Sequence, residues 1–184
     1  MTHDQIATIC GPVFDRARTF YAAAEFITRN PGTMVETGCY RGAGDDGNST
    51  LIFALLAREL DVMLHSFDVN GDSVASAMAE LGDAFDTHAI IHQMDSITGI
   101  SHLEDAIRFA YLDSLDLGDD LGPCQRHQLA EVGAVLGKMM FPAAILLDDC
   151  APDTGGKTLL SAAFLKDRGW TLTADGYQLL FTHE

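Results

Sequence analysis

Glu36, Asp68, Asp95, Asp113 and the pair Asp148-Asp149 each stand at or beside the end of a short apolar run. In an open parallel sheet the carboxyl ends of the strands converge on one edge, where ligands bind, so these six acids are placed to line a single crevice. Carboxylates there accept hydrogen bonds from hydroxyl or amino groups, hold a hard divalent cation, or exchange a proton. Each one taken singly also reads as the cap of the helix that follows it. A glycine-rich stretch with Gly38, Gly42, Gly44 and Gly47 follows the first acid, and glycine lets the backbone come close to a bound cofactor. Asp45 and Asp46 lie in that stretch and would repel a pyrophosphate, so a cofactor without phosphate suits it better. His127, within Gln-Arg-His-Gln-Leu, adds an imidazole that can take a proton near neutral pH, or else is a surface or capping side chain.

The elements that must position these groups follow from hydrophobic periodicity. Residues 33–37, 62–68, 89–95, 107–113 and 143–149 are apolar runs too short for helices, and each is followed by a turn and a helical pattern. Those patterns cover 48–59, 72–81, 99–106, 125–139 and 157–167, while 4–29 reads as a leading helix or helix pair broken at Gly11-Pro12. The tail differs: 170–174 and 177–183, joined through Asp175-Gly176, read as a β-hairpin. The expectation is an α/β fold: a doubly wound, mostly parallel seven-stranded sheet ending in an antiparallel hairpin, with helices on both faces. One domain is expected over 1–184, a helical region at 1–32 preceding a core at 33–184.

Bulk properties narrow the function. The 184 residues are enough for one core that buries roughly 70% of the unfolded surface. Eleven Lys and Arg against 27 Asp and Glu leave a net charge of -16, which repels DNA, RNA and anionic membranes. Cys10, Cys39, Cys124 and Cys150 form no C-x-x-C pair, so neither a zinc site nor a disulfide framework is indicated. There is no basic-then-apolar leader and no apolar run near the ~20 residues that span a bilayer, and a cytoplasmic protein is expected.

From Val35-Glu36-Thr37-Gly38 through Ser49-Thr50, with Asp68, Asp95-Ser96 and the terminal hairpin, the chain resembles class I, Rossmann-like S-adenosylmethionine-dependent methyltransferases. The resemblance implies that Glu36 and Gly38 lie under the methionine part of the cofactor, that Asp68 binds the ribose hydroxyls, and that Asp95 with Ser96 meets the adenine. Asp113, with Asp148 and Asp149 after the next strand, is similar to the small-molecule branch that includes metal-dependent O-methyltransferases. There such acids hold a divalent ion, and an all-oxygen set suits Mg²⁺, Mn²⁺ or Ca²⁺ better than zinc. Asp113 is thereby implied at cofactor, metal and catalytic positions, and His127 competes as a metal-free general base.

The resulting expectation is methyl transfer from S-adenosylmethionine to a small-molecule acceptor at a hydroxyl oxygen. Alternatives are a protein that binds this cofactor without transfer, and a nicotinamide-dependent oxidoreductase suggested by Gly42-Ala-Gly-Asp-Asp-Gly47. Residues 151–158 fit a relaxed phosphate loop with alanine for its first glycine, but too little chain follows for a nucleotide hydrolase. Lys157 there reads as solvated, or as reaching into the crevice. Asp68–Asp72 opens like a calcium loop, yet Ser73 and Ala79 occupy its obligatory glycine and glutamate places. The remaining histidines show no ligand spacing. Acceptor recognition is left to the N-terminal helices, the acidic loop 116–123, and a second subunit should the protein be a homodimer.

Overall fold

Side-chain alternation along β1 (Thr33–Thr37) sends Met34 into one apolar layer and Val35 into another, so both faces of this strand are covered. The structure is a computed structural model that describes residues 1–11, 16–42, 48–151 and 153–184, apart from the side chain of residue 84. The parallel strands are β1, β2 (Leu64–Asp68), β3 (Ala89–Gln93), β4 (Ile107–Leu112) and β5 (Met139–Leu147). A hairpin of β6 (Thr171–Ala174) and β7 (Leu179–His183) completes a seven-stranded sheet in the order β3-β2-β1-β4-β5-β7-β6, with β7 antiparallel to β5. This is the doubly wound arrangement expected from the alternating pattern.

One layer contains α1 (His3–Cys10), α2 (Ala17–Arg29), α3 (Ser49–Leu60) and α4 (Gly71–Leu81); the other contains α5 (Ser96–His102), α6 (Gly122–Leu136) and α7 (Leu159–Asp167). In the first layer Phe20, Phe53, Phe109 and Tyr111 pack edge-on or tilted at centroid separations of 5.1–5.7 Å, docking α2 and α3 onto β4. That packing buries the Tyr111 ring and carries its hydroxyl to the carboxyl edge of the sheet. Among the described residues no helix is long and apolar enough to cross a membrane.

Several boundaries differ from the periodicity. β3 stops at Gln93, because Asp95 begins the next helix instead: its Oδ1 accepts from the Thr98 N–H at 2.8 Å and from Thr98 Oγ1 at 2.7 Å, so α5 starts at Ser96. β5 starts at Met139, where an apolar stretch fits the end of a helix and the start of a strand equally well. The hairpin connection runs over four residues, since Tyr177 and Gln178 leave the strand and turn toward the carboxyl edge.

Candidate functional site

The strand order reverses direction between β1 and β4, and at such a switch point the two connections diverge to leave a crevice. Gly38 forms its inner wall at φ +80°, where a Cβ would lie only 2.6 Å from the Asp113 carbonyl oxygen. The backbones are held this close because the Asp113 N–H donates to the Thr37 carbonyl at 3.0 Å. A cleft of about 290 Å³ opens here, near the lower end of the ~300–1,000 Å³ typical of small-molecule sites. Gly38, Asp68, Asp95, Ser96, Asp113 and His127 all line it, as do Val69, Met94, Leu115 and Asp116. A hollow of about 110 Å³ adjoins it, sharing Gly38, Arg41 and Asp113 and adding Cys39, Tyr40, Asn48 and Ser49. The guanidinium of Arg41 clasps Asp116 through two contacts at 2.9 and 3.0 Å, tying the loop after β1 to the loop after β4.

Each acid has a distinct environment. Asp68 receives the Cys39 N–H on Oδ2 at 3.2 Å and the Asn70 N–H on Oδ1 at 2.8 Å, which fixes its plane at the cleft. Asp95 uses Oδ1 to cap α5, and these bonds hold its carboxyl below the ordinary range; Oδ2 makes no hydrogen bond among the described residues. Capping and facing the cleft are therefore compatible in one residue. Glu36 stands behind the cleft and does not line it. It is fully buried and accepts from Ser49, Thr50 and Ser66 hydroxyls at 2.6, 2.7 and 2.6 Å. Thr50 Oγ1 in turn accepts the Tyr40 N–H at 2.8 Å, so Glu36 shapes the loop from beneath. Burial pushes its carboxyl up to about 7 despite the three hydroxyls.

Beside the cleft, Asp113, Asp148 and Asp149 each bring an oxygen within 4.8 Å of the others, as the metal expectation required. Their counter-charges are already in place. Lys157 Nζ lies 2.9 Å from Asp113 Oδ1 and 2.9 Å from Asp149 Oδ2, and the Arg16 guanidinium lies 3.0 Å from Asp148 Oδ2. A divalent ion bound by oxygens at about 2.0–2.6 Å would need the oxygens that these cations hold. The residues present therefore do not fit the ion. Contrary to the solvated reading, Lys157 is 0% exposed. Burial opposes its charge, but Asp113 and Asp149 outweigh that and raise its pKa.

The same edge carries a buried polar web. The Tyr111 hydroxyl donates to Asp148 at 2.7 Å and accepts from Gln178 at 3.2 Å, and Thr19 donates to Gln178 at 2.6 Å. Tyr177 donates to Asp149 and stacks beneath the Arg16 guanidinium, 4.7 Å from the ring centroid. Burial and the neighbouring Asp113 drive the Asp148 carboxyl well up, with Arg16 only partly offsetting them. Three carboxyls facing two fixed cations are balanced when one retains a proton, and Asp148 is the one that burial favours for it. In Asp149, burial acts upward too, yet Lys157 and Tyr177 prevail and the carboxyl lies below its ordinary range.

On the other wall His127 Nε2 approaches Glu131 Oε1 at 3.5 Å, one helical turn away on α6. That oxygen also accepts from Ser96 at 2.6 Å and Ser114 at 2.5 Å, joining the loops after β3 and β4 to the helix. Hydrogen bonding to Glu131 raises the His127 pKa, against the opposing effect of partial burial. His65 and His92 pair apart from the site, Nδ1 to Nε2 at 3.0 Å. All four cysteines are free thiols.

Sequence reasoning missed Arg16, Tyr111, Tyr177, Gln178 and Glu131, whose polar groups gain meaning only through distant partners. Val69 and Met94 were within reach, since an exposed apolar residue directly beside a strand-end acid is a signal; they are 69% and 40% exposed at the cleft. Gly44, Gly47, Asp45 and Asp46 lie outside the described residues.

No family model matches the sequence, and no curated protein matches it. Solved structures do share its architecture. A Clostridium thermocellum protein assigned as an rRNA methylase has a TM-score of 0.63 at 14% identity, covering 88% of this chain and 94% of its own. Magnesium protoporphyrin IX methyltransferase from Synechocystis, solved with bound S-adenosylmethionine, gives 0.59 at 12% identity over 91% and 79%. The N-methyltransferase NodS from Bradyrhizobium japonicum gives 0.61 at 12% identity over 94% and 97%. Likenesses at such low identity are likenesses of fold, and the fold of this chain is the Rossmann-like α/β fold of class I methyltransferases.

Proposed function

We propose that the chain is a single-domain S-adenosylmethionine-dependent methyltransferase acting on a small molecule at a hydroxyl oxygen. The observation that carries this reading is the composition of the cleft at the β1–β4 switch point. It has a close-approach glycine, a carboxylate fixed at the end of β2, and two exposed apolar side chains flanked by a second acid after β3. In this reading Asp68, its plane set by two backbone N–H groups, accepts the ribose hydroxyls with its remaining lone pairs. Val69 and Met94 cover the adenine ring, and Asp95 accepts from its amino group while still capping α5. Gly38 leaves room for the methionine part, over the loop that Glu36 shapes.

When bound, the cofactor supplies an electrophilic methyl on a sulfonium. The chain's own contribution is to hold an acceptor in line with it, which is the larger share of such catalysis. His127 takes the acceptor proton on its unprotonated ring nitrogen, with Glu131 orienting the ring and stabilising the imidazolium. Asp113, at the cleft floor, accepts a hydrogen bond from the acceptor. The net charge of -16 and the acidic lining favour a neutral or cationic small acceptor over RNA, although an rRNA methylase is among the fold neighbours.

Isothermal titration with S-adenosylmethionine and with its demethylated product tests the reading, the expected result being one site per chain. Asp68→Ala removes two charge-assisted acceptor bonds to hydroxyls, which at about 1.5 kcal/mol each lowers affinity roughly 100-fold. Wild-type protein that binds neither compound refutes the function, and unchanged affinity in Asp68→Ala refutes the ribose role.

A further inference from the structure

The three aspartates have the geometry of an oxygen-rich cation site, yet two of them are already bridged by a cation of the chain itself. Lys157 Nζ has three acceptors for its three protons: Asp113 Oδ1 at 2.9 Å, Asp149 Oδ2 at 2.9 Å and the Ser114 carbonyl at 3.2 Å. We propose that Lys157 is an internal cation standing where a divalent ion would otherwise bind, so that the aspartate trio is closed to metal in the wild-type protein and opens when the amine is removed.

Two features make the ammonium a fixture. The first is the loop that delivers it. Gly155 and Gly156 adopt φ +72° and +52°, and a Cβ on Gly156 would lie 2.1 Å from the Asp149 carbonyl oxygen and 2.7 Å from the Ala151 nitrogen. The chain therefore folds tightly back on Asp149, whose carbonyl accepts the Lys157 N–H at 3.0 Å, while Gln125 donates to the Gly156 carbonyl at 2.8 Å. The second is charge. With Arg16 on Asp148, two permanent cations already face three carboxyls, and a doubly charged ion would turn the cluster net positive in a buried place. Asp148 Oδ1 is buried with no hydrogen-bond partner, so an ion that entered after loss of the amine could displace its proton and gain a third carboxylate oxygen. Lys157 is thus a positioning residue that holds Asp113 at the cleft floor and performs the charge compensation a metal would perform. The cation claim stands on the cluster alone; only its consequence for methyl transfer rests on the function proposed above.

The test is Mn²⁺ titration followed by the electron paramagnetic resonance signal of the free ion, on the full chain. Wild type is expected to leave the signal unquenched up to about 1 mM, the weak end of biological oxygen-ligated sites. Lys157→Ala is expected to bind one Mn²⁺ per chain at least tenfold more tightly than wild type, and Asp149→Asn in that background to abolish the binding. Lys157→Met, which keeps the buried stem and removes the charge, is the second variant should Lys157→Ala not fold. One Mn²⁺ bound by wild type and lost in Asp149→Asn overturns the proposal. So does a folded Lys157 variant, verified by circular dichroism, that binds no Mn²⁺. Failure to bind S-adenosylmethionine would refute the methyltransferase reading and leave the Mn²⁺ result standing.

Discussion

Gly38→Ala probes the crevice at its narrowest point, and Gly169→Ala provides its control. Both glycines have φ +80°, so both substitutions carry the same left-handed penalty, about 1–2 kcal/mol for a residue with a Cβ. Their surroundings differ. A Cβ at 169 meets nothing within 4 Å, whereas one at 38 lies 2.6 Å from the Asp113 carbonyl oxygen, 3.0 Å from its carbon and 3.4 Å from the Ser114 nitrogen. These are backbone atoms pinned by the Asp113–Thr37 hydrogen bond, so they cannot rotate away as a side chain would. Overpacking of this kind adds about 1–3 kcal/mol, and the total for Gly38→Ala is about 3–4 kcal/mol against about 1.5 for Gly169→Ala. At roughly 2–4 °C per kcal/mol for a chain of this size, melting falls by about 10 °C and about 4 °C respectively. Relief of the clash must push the loop after β1 away from the loop after β4, so Gly38→Ala also weakens cofactor binding, while Gly169→Ala leaves it intact. Calorimetric melting and cofactor titration of the pair give both readouts. Equal melting losses in the two variants would refute the claim that β1 and β4 touch at Gly38.

Two pH predictions complete the set with the titrations already described. Glu36 has its carboxyl raised by burial from 4.5 to about 7, so the folded state holds a proton that the unfolded chain releases; its stabilising effect is complete below 4.5 and lost as pH rises through about 7. At about 1.4 kcal/mol per tenfold, that interval is on the order of 3 kcal/mol. Denaturant melts between pH 5 and 8 should show Glu36→Gln flattening the decline seen in wild type, its amide meeting hydroxyls that both donate and accept; an unaltered slope would disprove the burial effect. Because Glu131 raises the His127 pKa, Glu131→Gln should move the rising limb of kcat/KM to lower pH, and His127→Gln should remove it. A limb that stays in place in both variants means that another group takes the proton.

Local chemistry made much of this molecule legible in advance. The order of strands and helices followed from apolar runs of five to seven residues alternating with helical periodicity, because each element must bury its own face whatever its neighbours are. The placement of Gly38, Asp68, Asp95 and Asp113 on one cleft followed from topology, since parallel strands direct their carboxyl ends to the same edge, whereas Ser96 was implied by resemblance and His127 reaches the cleft from within α6. Glu36 sits at the same strand end yet faces inward, because side chains alternate across the sheet and its hydroxyl partners lie on that inner face, Ser49 and Thr50 on α3 and Ser66 beside it on β2. Asp95 shows how an acid read as a strand end instead starts a helix, a choice made by two bonds from Thr98.

Sequence by itself thus determined the layered sheet, the acid-bearing edge and the excess of negative charge, all of which depend on residue type and near spacing. What occupies the aspartate cluster was decided only in three dimensions. Arg16 and Lys157 reach it from opposite ends of the chain, one just before α2 and one just before α7, and Tyr111, Tyr177 and Gln178 join them through contacts that no short-range pattern encodes. The physical reason is that a buried charge is tolerable only beside its counter-charge, and which counter-charge arrives is settled by packing between elements far apart in sequence.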